Sequence, residues 1–216
     1  MTKKVLNIIS VLFILASPWV LYWTLSQGDV AVAAITLVAW VIVRTIPVLL
    51  SAKREQRLAA LQLPAIALVF AVAGWISNNG TWLLILPSAN QAAFGLTFLR
   101  SLKGTPLIEH FARMIKPELS IGQQAHCRRW TAVWGIYLLV LAGVGLVLAR
   151  FATLEVWTVY VGILSYVLVG VLFAIEYVVR KISFRDYGRN PLDWLLSKVF
   201  PPARSDDAEL PSTSRQ

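Results

Sequence analysis

The sequence predicts an all-α fold: a polytopic bundle of about six transmembrane helices with interfacial helices on its cytoplasmic side. Hydrophobic residues make up 57% of the 216 residues and charged residues only 14%, whereas soluble domains average roughly 45–50% and about 25%. Each apolar run is about long enough to cross a hydrocarbon core of roughly 30 Å as a helix, and only helices satisfy their own backbone hydrogen bonds in lipid. The six runs are 5–25, 30–50, 58–77, 82–99, 130–149 and 157–179.

The first run has the outline of a secretory signal peptide, because it follows the basic pair Lys3-Lys4. The A-x-A-like processing sequence Ala31-Val32-Ala33, however, lies inside the second run. Leu21-Tyr22-Trp23 also extends the first run beyond the usual apolar core of a signal peptide. We therefore predict that the first run is an uncleaved helix.

The distribution of basic residues predicts the orientation. With both termini inside, 19 of the 20 Lys and Arg residues lie on the cytoplasmic side and only Arg150 lies outside. Such an excess is typical of cytoplasmic segments, which predicts a multi-pass membrane protein with both termini in the cytoplasm. The predicted organisation is a transmembrane domain at 1–181 with a cytoplasmic loop at 100–129, an interfacial segment at 182–204 and a disordered tail at 205–216.

The long cytoplasmic loop is predicted to be ordered. Its apolar residues repeat at helical spacing, which predicts an amphipathic helix lying in the membrane interface. Pro117 ends this helix, and Ser120 followed by Gln123 is a capping-box signal for the next one, which would run into the fifth span. The apolar face comprises Leu107, Ile108, Phe111, Met114 and Ile115, and the polar residues on other faces are Glu109, His110, Arg113 and Lys116.

A second interfacial helix is predicted near the C-terminus. Asn190 as N-cap and Pro191 at the first helical position would start it, and Pro201-Pro202 would end it. Its apolar stripe comprises Leu192, Leu195, Leu196 and Val199.

The loop also holds the residue types that could carry chemistry, namely His110, His126 and Cys127. A metal site needs several convergent ligands, and one cysteine with two histidines sixteen residues apart supplies few. We therefore predict no metal, no cofactor and no catalytic residue.

Two charged residues fall inside the apolar runs, where a charge is costly and indicates a functional candidate. Arg44 and Glu176 lie about 9 Å and about 5 Å from the inner ends of their helices. One hypothesis pairs them in an intramembrane polar site continued by Asn90 and Gln91. In the alternative, Arg44 extends to the lipid head groups while Glu176 pairs with Arg180 one turn away.

Between residues 80 and 181 the sequence contains a series of short blocks: Phe94-Gly95, Ser101-Leu102, Gly104 to Glu109, Phe111 to Arg113, Pro117 to Leu119, Cys127 to Arg129 with Thr131 and Trp134, Trp157, Ser165-Tyr166 and Glu176-Tyr177. In their order and spacing these blocks resemble a family of uncharacterised bacterial inner-membrane proteins. Its members are encoded in loci for aryl polyene, xanthomonadin-type pigment or related fatty-acid-like biosynthesis, beside acyl carrier proteins, ketosynthases and acyl-activating enzymes. His126 stands where the family pattern more usually has an aromatic residue. The resemblance implies a location in the bacterial inner membrane and a pathway, and it assigns no catalytic residue.

Two functions are compatible with these features. The first is a non-catalytic membrane component that organises or anchors an acyl-carrier-dependent biosynthesis system, with membrane lipids and an acyl carrier protein or biosynthetic enzymes as partners and no role for nucleic acid. The second is a transporter or flippase for the lipid product, for which six spans are few unless a homo-oligomer supplies more. The residues expected to contact a protein partner or anionic lipid are Arg113, Lys116, Arg128 and Arg129.

Overall fold

The computed structural model describes residues 16–51, 54–184, 194, 198 and 199, without the side chains of residues 44, 46–51, 54–60, 62 and 63. Within these residues every regular element is helical, which confirms the all-α class. The described helices are α1 (16–26), α2 (Val30–Ser51), α3 (Arg54–Ser77), α4 (Thr81–Ser101), α5 (Leu107–Ile115), α6 (Ile121–Phe151) and α7 (Leu154–Phe184).

Three of the described helices, α4, α6 and α7, are long and apolar enough to cross a membrane by length and composition. Shorter apolar helical stretches cover Val30–Val43 in α2 and Pro64–Ser77 in α3. Many large apolar side chains on the bundle surface are exposed, for example Ile76 and Val43. The chain therefore has the helices and the surface of a membrane protein, while the six spans stay a prediction.

The helix ends follow local sequence signals. Gly28, with φ 77°, lies in the turn between α1 and α2, and Asn78, with φ 49°, lies between α3 and α4. Both adopt the left-handed conformation that glycine and asparagine tolerate best. The capping box predicted for α6 is present, with Ser120 Oγ accepting from the Gln123 N–H and Gln123 Oε1 accepting from the Ser120 N–H.

The centre of the bundle is the pair formed by α4 and α6, which pack against each other more extensively than any other two described helices. They run antiparallel and approach closely where glycines face each other. A Cβ atom added at Gly95 would lie 2.9 Å from the Gly135 carbonyl oxygen and 3.0 Å from Leu139 Cγ. Close backbone approach at small residues is the common way that membrane helices gain contact.

Aromatic side chains connect α7 to the α4–α6 pair through hydrogen bonds to backbone carbonyls. Trp157 Nε1 donates to the Leu84 carbonyl at 3.2 Å, near the helix-interior Pro87, and the Tyr160 hydroxyl donates to the Leu141 carbonyl at 2.7 Å. The Tyr137 hydroxyl on α6 donates to Leu168 of α7 at 2.9 Å. Trp157 is fully buried, so its ring and its N–H are both used in packing.

Helix α7 contains a π-helical turn at Tyr160–Leu164. The N–H of Ser165 bonds to the Tyr160 carbonyl five residues earlier, and the helix then continues in α form to Phe184. The turn lies against α1, because a Cβ at Gly162 would be 3.2 Å from Trp19 Nε1. A π turn adds one residue to the helix, so the residues before and after it face different neighbours.

Candidate functional site

Helix α5 lies against α6 at the end of the bundle where the chain passes from α4 to α6, here called the α5 end. The Leu107 N–H donates to Ser101 Oγ at 3.0 Å, and the Ile108 N–H donates to Thr131 Oγ1 at 3.3 Å. Thr131 is fully buried and itself donates to the Cys127 carbonyl at 2.7 Å. These bonds satisfy two N–H groups in the first turn of α5, where no intrahelical partner exists.

The predicted apolar face of α5 divides into two parts. Leu107 and Ile108 are partly buried against the bundle. Phe111, Met114 and Ile115 are exposed, Ile115 at 90%, and form what we call the α5 apolar patch. A nine-residue helix that leaves three large apolar side chains in the open has the character of an interfacial helix.

Glu109 is buried, although the sequence predicts it on a polar face of α5. The residue is only 8% exposed, and its carboxylate pairs with Arg113. Arg113 Nη2 donates to Glu109 Oε1 at 2.7 Å, and Arg113 Nε donates to the same oxygen at 2.9 Å. Arg113 also donates to the Pro117 carbonyl at 3.2 Å. A carboxylate in this position is accommodated because the guanidinium compensates its charge.

The four basic residues expected to contact a partner have different surroundings. Arg113 is held by Glu109 and Pro117, and Arg128 Nη2 donates to the Leu102 carbonyl at 2.8 Å. Lys116 and Arg129 are exposed. Arg113 and Arg128 therefore also stabilise the structure of the α5 end, which leaves Lys116 and Arg129 as its more accessible cations.

A partly open cavity of about 390 Å³ lies between α5, the start of α6 and the end of α7. This volume is in the range of small-molecule pockets. The lining includes apolar side chains as well as charged and polar groups, so the cavity suits a molecule that has both an apolar part and a charged part. Its lining residues are Ile108, Ala112, Ile115, Lys116, Leu119, Gln123, His126, Cys127, Glu176, Tyr177, Arg180, Lys181 and Phe184.

The polar centre of the cavity is formed by His126 and Glu176. His126 Nε2 lies 3.7 Å from Glu176 Oε1, which is beyond a direct hydrogen bond, and Arg180 Nε lies 3.5 Å from the same carboxylate oxygen. Among the described residues His126 Nε2 is buried and has no hydrogen-bond partner. The imidazole packs against two aromatic rings. Its ring centroid lies 5.2 Å from the centroid of the Phe184 ring and 6.0 Å from that of the Trp130 ring. A buried polar atom of this kind at a cavity wall can bind a ligand atom or a water molecule.

The residues of the predicted intramembrane polar site are not all at one level. The pairs Gly95–Gly135 and Leu102–Arg128 set the register of α4 against α6. In this register Asn90 lies about 20 Å along the helix axis from His126, and hence from Glu176. Asn90 Oδ1 is buried without a hydrogen-bond partner in the described part of the chain, and Gln91 is partly buried beside it. The Arg44 side chain lies outside the described residues, so its pairing with Glu176 stays a prediction.

The other chemically active side chains of the loop are separated. Cys127 is buried on the cavity wall, and His110 is exposed on α5. Among the residues that the structure describes, no group of three or more His, Cys, Asp or Glu side chains is arranged to hold a metal ion. The C-terminal helix predicted from Asn190 and the tail from Ser205 lie outside the described residues, apart from positions 194, 198 and 199, which are helical.

His126 was not predicted from the sequence to be a site residue. The signal available was its position six residues after the Ser120 cap, in the first turns of α6, together with its departure from the family pattern. Its contact with Glu176 depends on how α6 and α7 pack, which a single sequence does not reveal.

Comparison with models of protein families, with curated proteins and with solved structures finds no match to this chain.

Proposed function

We propose that the chain is a non-catalytic component of the bacterial inner membrane that organises or anchors an acyl-carrier-dependent lipid or aryl polyene biosynthesis system. The observation that carries the proposal is the α5 apolar patch, which is exposed at the same end of the bundle as the exposed cations Lys116 and Arg129. Such a surface suits the membrane interface and an acidic protein at once. The pathway itself is suggested by the family resemblance of residues 80–181.

The proposal includes six membrane spans with both termini in the cytoplasm. It is supported by the one-sided distribution of Lys and Arg and by the three long apolar helices. Reporter fusions after Asn79 and Glu155 should be active in the periplasm, and fusions after Lys116 and Arg204 in the cytoplasm. A periplasmic signal after Lys116 would contradict the orientation and with it any cytoplasmic partner at the α5 end.

The partner is expected to be an acidic acyl carrier protein or an enzyme of the same pathway. A photocrosslinking residue placed at Met114 should capture this partner in cells, and the capture should weaken with salt in isolated membranes. Reversing the two accessible charges with Lys116→Glu and Arg129→Glu should lower the yield about tenfold. The matched control is Arg150→Glu, which reverses an exposed charge at the opposite end of the bundle. Crosslinks to lipid alone, with the pathway enzymes remaining soluble, would refute the anchoring role.

The second candidate is a transporter or flippase for the lipid product. The observation that favours it is the cavity between α5, α6 and α7, which is lined by both apolar and charged groups. Vesicles containing the purified protein and a fluorescent lipid would separate the two functions. Lipid movement between leaflets faster than in protein-free vesicles would support transport, and equal rates would support the anchoring function.

A further inference from the structure

We propose that the cavity at the α5 end is a binding site for an anionic amphiphile, meaning a long acyl chain with a phosphate or carboxylate head group. The inference goes beyond the anchoring function and depends on the cavity alone. Its elements are five apolar side chains, three cations and the imidazole of His126, whose Nε2 has no hydrogen-bond partner among the described residues, and all of them line one space of about 390 Å³.

The apolar residues of the lining come from three segments of the chain, here together called the apolar wall. Ile108, Ala112 and Ile115 recur at helical spacing along α5, Leu119 follows in the connection to α6, and Phe184 lies at the end of α7. Ile115 is 90% exposed, so part of this wall gains burial only when an apolar molecule covers it. An acyl chain is such a molecule.

The charged residues of the lining favour an anion. Lys116, Arg180 and Lys181 line the cavity together with one carboxylate, that of Glu176. The carboxylate is already compensated by Arg180 at 3.5 Å, so the lining keeps an excess of positive charge. Arg180 is bound to Glu176 through Nε, and its guanidinium has further N–H donors for an oxyanion.

His126 makes the site more selective than a basic surface patch. Its Nε2 atom is buried and lacks a hydrogen-bond partner among the described residues, and the residue lines the cavity. The 3.7 Å gap to Glu176 Oε1 leaves no hydrogen bond to this carboxylate, so a rotation of the ring that brings Nε2 to the cavity would allow it to bond to an oxygen of the head group. A lipid whose head group has no acidic oxygen would leave the excess positive charge of the lining without a compensating anion, which is costly once the cavity is covered.

The test uses the purified full-length chain in a non-ionic detergent and three photoreactive probes: a phosphatidic acid, a fatty acid and an uncharged diacylglycerol. The acidic probes should label peptides containing α5 and residues 176–184, and the diacylglycerol should label them at least tenfold less. Labelling by the phosphatidic acid alone identifies a phosphate head group, and labelling by the fatty acid alone identifies a carboxylate. Equal labelling by the diacylglycerol, or no labelling of these segments, would overturn the proposal.

Two pairs of variants locate the site. Lys116→Gln with Arg180→Gln should reduce labelling by the acidic probes at least tenfold, whereas Arg100→Gln with Lys103→Gln, which removes the same charge from exposed residues outside the cavity, should change it less than twofold. Because loss of Arg180 removes a partner of Glu176, a second pair keeps every charge. Ala112→Trp fills the cavity and should abolish labelling, while Ala125→Trp on the exposed face of α6 should not. Unchanged labelling in Ala112→Trp would refute the assignment. No partner protein is present, so this result is independent of the anchoring function.

Discussion

Substitution of Gly95 by alanine tests the close approach of α4 and α6. The added Cβ would meet the Gly135 carbonyl oxygen at 2.9 Å and Leu139 Cγ at 3.0 Å. A backbone oxygen cannot turn aside as a side chain can, so the two helices must separate. Overpacking of this kind costs about 1–3 kcal/mol. Gly143→Ala is the matched control, since its Cβ would meet nothing within 4 Å on the same bundle.

Comparison of the two variants isolates the packing cost, because replacing glycine by alanine brings a similar gain in helix propensity at both positions. Gly95→Ala should therefore unfold at a lower temperature than Gly143→Ala by about 2–12 °C, since 1 kcal/mol shifts the midpoint by roughly 2–4 °C in a chain of this size. Thermal unfolding in detergent, followed by tryptophan fluorescence, measures the difference. Gly135→Ala should also unfold at a lower temperature than Gly143→Ala, because its Cβ would meet the Leu99 side chain at 2.6 Å and the Gly95 carbonyl oxygen at 3.2 Å. Equal midpoints for Gly95→Ala and Gly143→Ala would refute the packing described for α4 and α6.

Three further predictions concern single contacts. Thr131→Val removes the acceptor for the Ile108 N–H and should speed tryptic cleavage after Arg113, within α5, several-fold, whereas Thr97→Val, whose hydroxyl donates within its own helix to Ala93, should not; equal cleavage rates would show that α5 is held in another way. Tyr160→Phe removes the bond to Leu141 and should lower the free energy of unfolding by about 0.6 kcal/mol, as interhelical bonds in membranes typically do, with the exposed Tyr166→Phe as control and calorimetry as the measurement. Glu176→Arg should lower the amount of protein in membranes, and Arg180→Glu should restore it while Arg44→Glu should not; rescue by Arg44→Glu would instead establish the pairing of helices α2 and α7.

The helical class and several helix ends were predictable because they depend on short stretches of sequence. The capping box of Ser120 and Gln123 starts α6, and Pro117 follows the end of α5. Gly28 lies between the first two apolar runs and has the positive φ that glycine tolerates in a turn. In each case the signal and its structural effect lie within a few residues of each other, so a single sequence contains both.

The cavity was not predictable because its lining residues come from segments up to 76 residues apart, from Ile108 to Phe184. The sequence indicates that Arg113 and Arg128 are basic, but not that Glu109 and the Leu102 carbonyl bind them. One of the two hypotheses drawn from the sequence pairs Glu176 with Arg180 one turn away, and in the structure Arg180 Nε lies 3.5 Å from Glu176 Oε1. The contact between Glu176 and His126 could not be predicted from the sequence, because it depends on the packing of α6 against α7.

The π turn at Tyr160–Leu164 gives α7 two rotational phases. One added residue turns the following segment by about 100° about the helix axis. Trp157 and Tyr160 are directed into the bundle in the first phase, and Glu176 faces His126 in the second. Deletion of one residue from this turn would leave the first set of contacts in place and rotate the carboxylate away from the cavity. The two halves of α7 can therefore change in sequence under separate constraints, one for holding the helices together and one for the ligand, within a single continuous helix.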